Sequence, residues 1–255
     1  MKITDLKKFA ADSGIELEDQ DVMKDKAINS INAKYGNNPE HIKKKFDAIL
    51  EETEKEMYRI YLQYEAKYGG KVFRLFINHL IETGKIKKLE NAGAILGDNF
   101  KLFDKFFLSM AQSRKSRAGG AFEDILKAFF KKLNYSFTEQ PIINGQPDFV
   151  MPSIEHYKRN AMDCIIFTSK RTIRERWRQI VTEGTRGLGF YLATIDDAVP
   201  SSQLAEMLKH RIYLVVPKRV QAKNYSHAQN VLNFTQFLED YLDPKVKLWK
   251  KNKII

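Results

Sequence analysis

The hydrophobic pattern of this 255-residue chain changes character at residues 113–120. Before this point, apolar residues recur three or four positions apart, which predicts amphipathic helices. After it, short apolar runs alternate with helical segments and with turns rich in Gly, Pro and Asp. Such alternation is typical of an α/β domain with a mixed central sheet. We therefore expect a helical N-terminal region at 1–112 and an α/β core at 113–255.

The N-terminal region is predicted to contain three long helical segments. The first begins near Asn38-Pro39 and ends at Gly69-Gly70, because proline favours the first turn of a helix and glycine favours its end. The second covers residues 72–81 and the third covers residues 100–110. We interpret the many aromatic residues of these segments as core residues.

The C-terminal region is predicted to contain five short strands with helices between them. The strands are expected at 135–138, 149–151, 164–168, 190–195 and 212–216. The helices are expected after Ala118-Gly119-Gly120 and at about 174–183, 202–209 and 226–241. This order of elements indicates a mixed sheet flanked by helices.

The charge balance of the chain bears on its partners. There are 43 Lys and Arg against 32 Asp and Glu, which gives a net charge of +11. This excess favours a polyanion as partner, although a generic solvated basic surface gives the same balance. Cys164 has no other cysteine with which to form a disulfide, the first eight residues contain no apolar run typical of a signal peptide, and no run is long enough to span a bilayer. We expect a cytoplasmic protein with no membrane segment.

Three charged residues stand at the ends of predicted elements in an order that suggests chemistry. Asp148 opens one strand, Lys170 follows the strand at 164–168, and Glu183 lies near the end of the next helix. Two carboxylates can hold Mg²⁺, a hard ion that prefers oxygen ligands, and an amine can orient or deprotonate a water. Each residue alone is common on protein surfaces. Their combination predicts metal-assisted phosphodiester hydrolysis.

A cluster of arginines follows the predicted catalytic lysine. Its members are Arg171, Arg174, Arg176 and Arg178. Arginine makes bidentate hydrogen bonds to guanine, and glutamate accepts from cytosine N4, so Arg174, Glu175 and Arg176 suit a half-site of two G·C pairs. The alternative is a surface helix stabilised by ion pairs between successive turns, but the arginines outnumber the neighbouring acids.

From about residue 113 to residue 241 the sequence resembles type II restriction endonucleases of the group that contains the EcoRII catalytic domain, SsoII and PspGI. The matching segments are Ser113-Arg114-Lys115-Ser116-Arg117-Ala118-Gly119, Pro147-Asp148-Phe149, Pro152-Ser153 with Tyr157, Lys170 through Gln179, and Leu214-Val215-Val216-Pro217. Several motifs in one order make the resemblance specific.

The resemblance implies the PD-(D/E)xK nuclease fold, with Mg²⁺ as cofactor and a role for each matching residue. Asp148 and Glu183 would be the metal ligands, Lys170 the catalytic lysine and Glu123 an accessory acid. The sequence departs from the general motif at Thr168, where the second acid usually stands. In this group that acid lies on the following helix, which Glu183 fits.

The same resemblance implies how DNA is read. Arg174, Glu175 and Arg176 would contact a CC/GG half-site, while Arg114 and Arg117 would contact the backbone or the minor groove. A homodimer would read a palindrome such as CCWGG or CCNGG, with one half-site for each subunit. Residues 1–112 would contribute to dimerisation and to DNA contacts around the central base pair. A restriction-modification system would also include a methyltransferase that protects host sites.

Two other functions fit parts of the sequence. His156, Lys158 and Asp163 match the His-x-Lys-x4-Asp pattern of metal-independent phospholipase-D-type phosphodiesterases. Such enzymes need two copies of the pattern at each active centre, and here Ser169-Lys170 stands where they usually have Gly-Ser. A basic DNA- or RNA-binding module without catalysis would explain the arginines but not the acids, which repel phosphate unless a metal intervenes.

Overall fold

A computed structural model gives the structure of the chain and describes residues 3–86, 92–143, 145–173 and 190–255. These residues form two compact units. One contains Met1–Ala27 and Glu56–Ala118, and the other contains Ile28–Lys55 and Gly119–Ile255. We describe each unit by itself.

Helices dominate the N-terminal half of the described chain. They are α1 Leu6–Ala11, α2 Gln20–Tyr35, α3 Pro39–Lys44, α4 Phe46–Glu82, α5 Ala92–Asp98 and α6 Phe100–Lys132. The expected start near Asn38-Pro39 is confirmed, because the Asn38 side chain accepts a hydrogen bond from the backbone N–H of His41 at 3.2 Å and caps α3. The core of the first unit contains Leu6, Ala10, Tyr68, Val72, Phe76, Leu80, Phe106 and Met110.

The helix end predicted at Gly69-Gly70 and the helix start predicted after Ala118-Gly119-Gly120 are both wrong. Helix α4 runs through Gly69-Gly70, and α6 runs from residue 100 through the glycines at 119 and 120. A glycine in a helix interior costs only about 1 kcal/mol relative to alanine. Tyr68 and Val72, on either side of the first pair, are buried in the core of the first unit, and this burial outweighs the propensity of two glycines.

The second unit is built on one mixed sheet. The described strands are β1 Thr138–Glu139, β2 Phe149–Met151, β3 Ile165–Ser169, β4 Phe190–Ala193, β5 Ile212–Val216 and β6 Val231–Asn233. They lie side by side in sequence order, with β1, β2 and β3 antiparallel and β3, β4, β5 and β6 parallel. The predicted mixed sheet is confirmed.

Further α-helices among the described residues of this unit flank the strands. They are α7 Ile154–Arg159, α8 Ser201–Lys209, α9 Lys218–Asn224, α10 Phe234–Gln236 and α11 Asp243–Lys251, with the π-helical turn Phe237–Leu242 between α10 and α11. The helix predicted at 226–241 is wrong in its first half. Residues 231–233 instead form β6, because the buried Asn230 side chain donates hydrogen bonds to the carbonyls of Leu204 and Ile212 and fixes the segment beside β5.

The two faces of the sheet are packed differently. Phe149, Phe167 and Tyr191 are partners in register on one face, where Phe130 of α6 packs against Phe149 and Phe167. The other face carries aliphatic side chains that form an aliphatic core, including Val150, Ile166, Leu192, Leu214, Val216 and Val231. Both faces are therefore covered, as expected for parallel strands.

One buried carboxylate links the start of α4 to the starts of α9 and α10 through hydrogen bonds. Asp47 accepts hydrogen bonds from the backbone N–H groups of Lys218, Phe234 and Thr235 at 2.8 to 3.0 Å, and from the Thr235 hydroxyl at 2.6 Å. It thereby caps the first turns of both α9 and α10. Among the helices described, none combines the length and the hydrophobicity that a bilayer crossing requires.

Candidate active site

The antiparallel pairing of β2 and β3 decides where Asp148 and Lys170 lie. Phe149 at the start of β2 pairs with Phe167 at the centre of β3, so Asp148 lies opposite the last residues of β3. Asp148, immediately before β2, and Lys170, immediately after β3, therefore meet at one edge of the sheet. The structure brings these two predicted site residues together, with the Lys170 Nζ 3.5 Å from Asp148 Oδ1.

The Asp148 carboxylate is held almost completely out of solvent, with 5% of the residue exposed. Its Oδ2 atom accepts hydrogen bonds from the backbone N–H of Ser169 at 2.6 Å and from the Ser169 hydroxyl at 2.7 Å. A buried carboxylate needs such partners, because an unpaired charge in the interior is costly. Ser169 therefore fixes one oxygen of Asp148 and leaves Oδ1 facing the lysine.

Lys170 lies between two oxygens. Its ammonium is 3.5 Å from Asp148 Oδ1 and also 3.5 Å from the hydroxyl of Thr168. Residues two apart on a strand share a face, which accounts for the approach of Thr168 and Lys170. About one third of the Lys170 side chain remains accessible to solvent, so the ammonium can be reached from outside.

Glu123 of α6 interacts electrostatically with Asp148 and Lys170. Burial raises the pKa of the Glu123 carboxyl and the negative charge of Asp148 raises it further, whereas a hydrogen bond from Gln140 and the charge of Lys170 oppose the rise. The Gln140 side chain donates to Glu123 at 2.9 Å, and its backbone N–H donates to the carbonyl of Asp148 at 2.8 Å. The negative charge of Asp148 thus disfavours the ionised form of Glu123.

These donors fit a hard divalent cation. A cation beside the Glu123 carboxylate would favour its ionised form, and oxygen ligands are the ones that Mg²⁺ prefers. Glu123 and Asp148 are two such donors. Within the described ranges, no group of three or more His, Cys, Asp and Glu side chains is arranged to hold a metal. The predicted ligand Glu183 lies outside the described residues.

The predicted base-reading residues Arg174, Glu175 and Arg176 also lie outside the described residues. The first arginine of the cluster, Arg171, is described, and its Nε lies 2.7 Å from Glu54 Oε1 of α4 in an ion pair. One of the four arginines is therefore paired with an acid that is distant in sequence.

The predicted backbone-contacting arginines lie in the first unit. Arg114 makes two hydrogen bonds with the carboxylate of Glu65, at 3.0 and 2.7 Å, and this pairing raises the pKa of the guanidinium. Arg117 donates to the backbone carbonyl of Glu18 at 3.2 Å. Arg114 is thus engaged by a bidentate ion pair within its own unit.

The phospholipase-D-like pattern has a structural explanation. His156 Nε2 lies 2.9 Å from Asp163 Oδ2, and Asp163 also accepts hydrogen bonds from Lys245 at 2.7 Å and from the indole N–H of Trp249 at 2.9 Å. Lys158 is exposed on α7. His156 and Asp163 are therefore members of a network that joins α7 to α11.

Several residues of this region were not predicted from the sequence. Ser169 entered the sequence argument only as the neighbour of Lys170, and neither Gln140 nor Glu54 was singled out. Nothing in the local pattern marks them, because each contacts a residue that is distant along the chain. The antiparallel pairing of β2 and β3 would have pointed to Ser169.

Comparison with known proteins identifies a matching family. Residues 73–238 match the family described as EcoRII C terminal, and this match covers well over half of the chain. The chain belongs to the EcoRII C-terminal family. The family resemblance drawn from residues 113–241 is thereby confirmed.

The relatives of this member of the EcoRII C-terminal family include two restriction enzymes. The type II restriction enzyme SsoII of Shigella sonnei is 28% identical over 184 residues, which cover 66% of this chain and 60% of SsoII. The type II restriction enzyme EcoRII of Escherichia coli is 31% identical over 138 residues, which cover 51% of this chain and 34% of EcoRII. The matches thus span less than two thirds of either relative.

Solved structures show the same fold at lower sequence identity. Metal-depleted Ecl18kI in complex with uncleaved, modified DNA superimposes with a TM-score of 0.79 and 22% identity, over 95% of this chain and 84% of that one. The complex of the restriction endonuclease PspGI with substrate DNA gives a TM-score of 0.64 and 18% identity, over 91% of this chain and 94% of that one. The predicted fold class, a restriction-endonuclease core with a helical N-terminal region, is confirmed.

Proposed function

We propose that this protein is a type II restriction endonuclease that hydrolyses double-stranded DNA in the presence of Mg²⁺. The observation that carries the proposal is the approach of Lys170 to Asp148 at the sheet edge, where the charges of both residues affect the pKa of Glu123. Membership of the EcoRII C-terminal family and similarity to SsoII and EcoRII support it.

Asp148 and Glu183 are the proposed metal ligands, and Glu123 is a further acid at the same centre. When bound, Mg²⁺ supplies charge stabilisation for the phosphate in the transition state and lowers the pKa of a bound water. The remaining contributions come from the chain. Ser169 holds Asp148 in one orientation, which keeps Oδ1 available.

Lys170 is the proposed catalytic lysine. Its ammonium can donate a hydrogen bond to the attacking water or to a phosphate oxygen, and Asp148 and Thr168 keep it at the sheet edge. Positioning of this kind contributes to the rate because it avoids the entropy cost of aligning the groups during the reaction.

We assign base recognition to Arg174, Glu175 and Arg176, which follow Lys170 in sequence, with one arginine for each guanine of a CC/GG half-site. CCWGG and CCNGG are the proposed targets. Arg114 and Arg117 are proposed to contact the DNA backbone or the minor groove. For Arg114 this requires that Glu65 shares the guanidinium with a phosphate or releases it.

A homodimer is the proposed assembly, because a two-fold axis matches a palindromic site. The first unit exposes large apolar side chains that a dimer contact could bury, among them Leu96, Phe100, Phe107 and Leu108. This agrees with the proposed division in which residues 1–112 support dimerisation and DNA contacts and residues 113–255 form the catalytic core. A cognate methyltransferase and a cytoplasmic site of action complete the proposal.

Replacement of Lys170 tests the proposal against a binding module without catalysis. Lys170→Ala should abolish Mg²⁺-dependent cleavage and leave specific binding in Ca²⁺ within about threefold, because the side chain acts on the water rather than on the bases. Gel shifts and cleavage assays on the same duplex measure both effects. Binding without any cleavage by the unmodified protein would favour the binding module.

Lys158→Ala is the matched control for Lys170→Ala, because Lys158 is the exposed lysine of the phospholipase-D-like pattern. It should retain full cleavage. Loss of cleavage in Lys158→Ala together with retained cleavage in Lys170→Ala would favour the metal-independent mechanism instead.

A further inference from the structure

The three residues between the catalytic lysine and the first proposed base-reading arginine are fixed against the end of β4. The backbone N–H of Lys170 donates to the carbonyl of Ala193 at 2.9 Å, which continues the parallel pairing of β3 with β4. One residue later, the hydroxyl of the fully buried Thr194 donates to the carbonyl of Arg171 at 3.1 Å.

The last of these residues is held by a carboxylate. The backbone N–H of Ile173 donates to Asp196 Oδ2 at 2.9 Å, and the Ile173 side chain is fully buried in the aliphatic core. A hydrogen bond from an amide to a charged carboxylate is stronger than one to a neutral acceptor. Residue 173 is therefore fixed both by its side chain and by its backbone, immediately before residue 174.

Asp196 is rigidly placed itself. Its backbone N–H donates to the Thr194 hydroxyl at 3.0 Å, and its Oδ1 accepts from the backbone N–H of Ala198 at 3.1 Å. The buried Tyr225 donates its hydroxyl to the Asp196 carbonyl at 3.0 Å and accepts from the backbone N–H of Val199 at 2.9 Å. These hydrogen bonds hold Asp196 in one position.

A second carboxylate holds the segment through a side chain. Glu54 of α4, whose side chain is mostly buried, pairs with Arg171 at 2.7 Å. This pair directs the Arg171 guanidinium toward α4. The short segment 171–173 is therefore fixed through its backbone by the residues that follow β4 and through its side chain by α4.

We propose that Asp196 and Glu54 are positioning residues for base recognition, because they fix the segment from which residues 174–176 continue. This inference rests on the proposed function, in which Arg174, Glu175 and Arg176 read the half-site. Bidentate contacts to base edges depend on accurate placement of the donor, and an error near 1 Å removes much of their benefit. Loosening the segment should therefore lower sequence discrimination and not affinity in general.

The test uses a duplex library in which five central base pairs are randomised, with binding measured in Ca²⁺. Binding by the full-length unmodified protein identifies the preferred site. The discrimination ratio is the Kd for a site with one base pair changed, divided by the Kd for the preferred site. Asp196→Ala should reduce this ratio by about tenfold, which corresponds to the loss of one good base contact. The Kd of Asp196→Ala for random DNA should stay within about twofold of the Kd of the unmodified protein. Asp197→Ala is the matched control, because its side chain is exposed and should leave the ratio unchanged.

A purely structural role for Asp196 would lower the fraction of folded protein and affect all DNA sequences equally, so the ratio would not move. If Asp196→Ala fails to fold by circular dichroism, Glu54→Gln decides the question, with Glu51→Gln as its control on the same helix. Glu51 pairs with the exposed Arg219. We expect Glu54→Gln to lower the ratio and Glu51→Gln to leave it unchanged.

The outcomes separate this inference from the proposed function. If the unmodified protein shows no preferred site, the proposed function fails and the inference fails with it. If the unmodified protein discriminates and both Asp196→Ala and Glu54→Gln discriminate equally well, the proposed function stands and this inference is overturned.

Discussion

Asp148 Oδ2 accepts two hydrogen bonds from one residue, Ser169, through its backbone N–H at 2.6 Å and its hydroxyl at 2.7 Å. In Ser169→Ala the backbone donor persists, but the hydroxyl is lost. Hydrogen bonds to charged groups contribute about 1.5–3 kcal/mol, and residues that orient metal ligands typically affect activity by about 10- to 100-fold.

Ser169→Ala should therefore lower the free energy of unfolding by about 1–3 kcal/mol and reduce cleavage at least about tenfold, while DNA binding in Ca²⁺ is retained. Urea denaturation and cleavage rates at saturating Mg²⁺ measure the two effects. Ser202→Ala, at an exposed position of α8, is the control. Unchanged cleavage in Ser169→Ala would mean that the hydroxyl does not position Asp148.

The Asp47 carboxylate should contribute strongly to the stability of the second unit. Asp47→Ala would leave the backbone N–H groups of Lys218, Phe234 and Thr235 without their acceptor. The Phe234 N–H is buried, and an unsatisfied buried group costs about 1–3 kcal/mol, so the free energy of unfolding should fall by more than about 1 kcal/mol. Urea denaturation measures the change.

The control for Asp47→Ala is Glu51→Ala, one turn further along α4, where the carboxylate pairs with an exposed arginine. A pair at the surface should contribute no more than about 1 kcal/mol. Equal losses of stability in the two variants would show that the four hydrogen bonds to Asp47 add nothing beyond an ordinary surface ion pair.

The network around Asp163 predicts a pH dependence of stability. Burial raises the pKa of Asp163, but hydrogen bonds from Lys245, His156 and Trp249 outweigh it and hold the pKa below its ordinary value of 3.8. Because the pKa is lower in the folded state, the ionised carboxylate stabilises the fold above the unfolded pKa, which is about 3.9. That contribution is lost as the pH falls through the folded pKa.

Asp163→Asn should accordingly show a smaller fall in the free energy of unfolding between pH 6 and pH 2 than the unmodified protein shows. Urea denaturation across this range measures the difference, and Asp240→Asn, at an exposed position, should follow the unmodified curve. If the free energy of unfolding of Asp163→Asn falls with pH as steeply as that of the unmodified protein, Asp163 is not the cause of the pH dependence.

Glu183 is the proposed second metal ligand beside Asp148, and Glu123 is the alternative. We expect Glu183→Ala to remove nearly all cleavage and to spare binding in Ca²⁺, because a charged ligand is lost while Arg174, Glu175 and Arg176 remain. Glu123→Gln should reduce cleavage less. If Glu183→Ala cuts at the full rate and Glu123→Gln does not cut at all, Glu123 is the ligand that accompanies Asp148.

The meeting of Asp148 and Lys170 could be predicted from the sequence because both residues lie at strand ends. One apolar run follows Asp148 and another ends shortly before Lys170, and antiparallel pairing makes those ends meet. The length of α4 could not be predicted in this way, because burial of Tyr68 and Val72 overrides the local preference of Gly69-Gly70.

The residues that hold the site in place could not be predicted from local patterns. Asp47 contacts residues near 218 and 234, and Glu54 contacts Arg171, so their roles depend on tertiary structure alone. Strand β6 was missed for the same reason, since its place in the sheet depends on hydrogen bonds from Asn230 to two distant carbonyls.

Digestion of a plasmid of known sequence, followed by sequencing of the fragment ends, measures directly whether this chain is a site-specific, metal-dependent nuclease. In Mg²⁺ we expect a discrete set of fragments with 5′-phosphate ends, all cut at one palindrome that contains CC and GG half-sites. In EDTA, and with the variant Asp148→Asn, we expect intact plasmid. Cleavage that persists in EDTA, or cleavage without sequence preference in Mg²⁺, would contradict the proposed function.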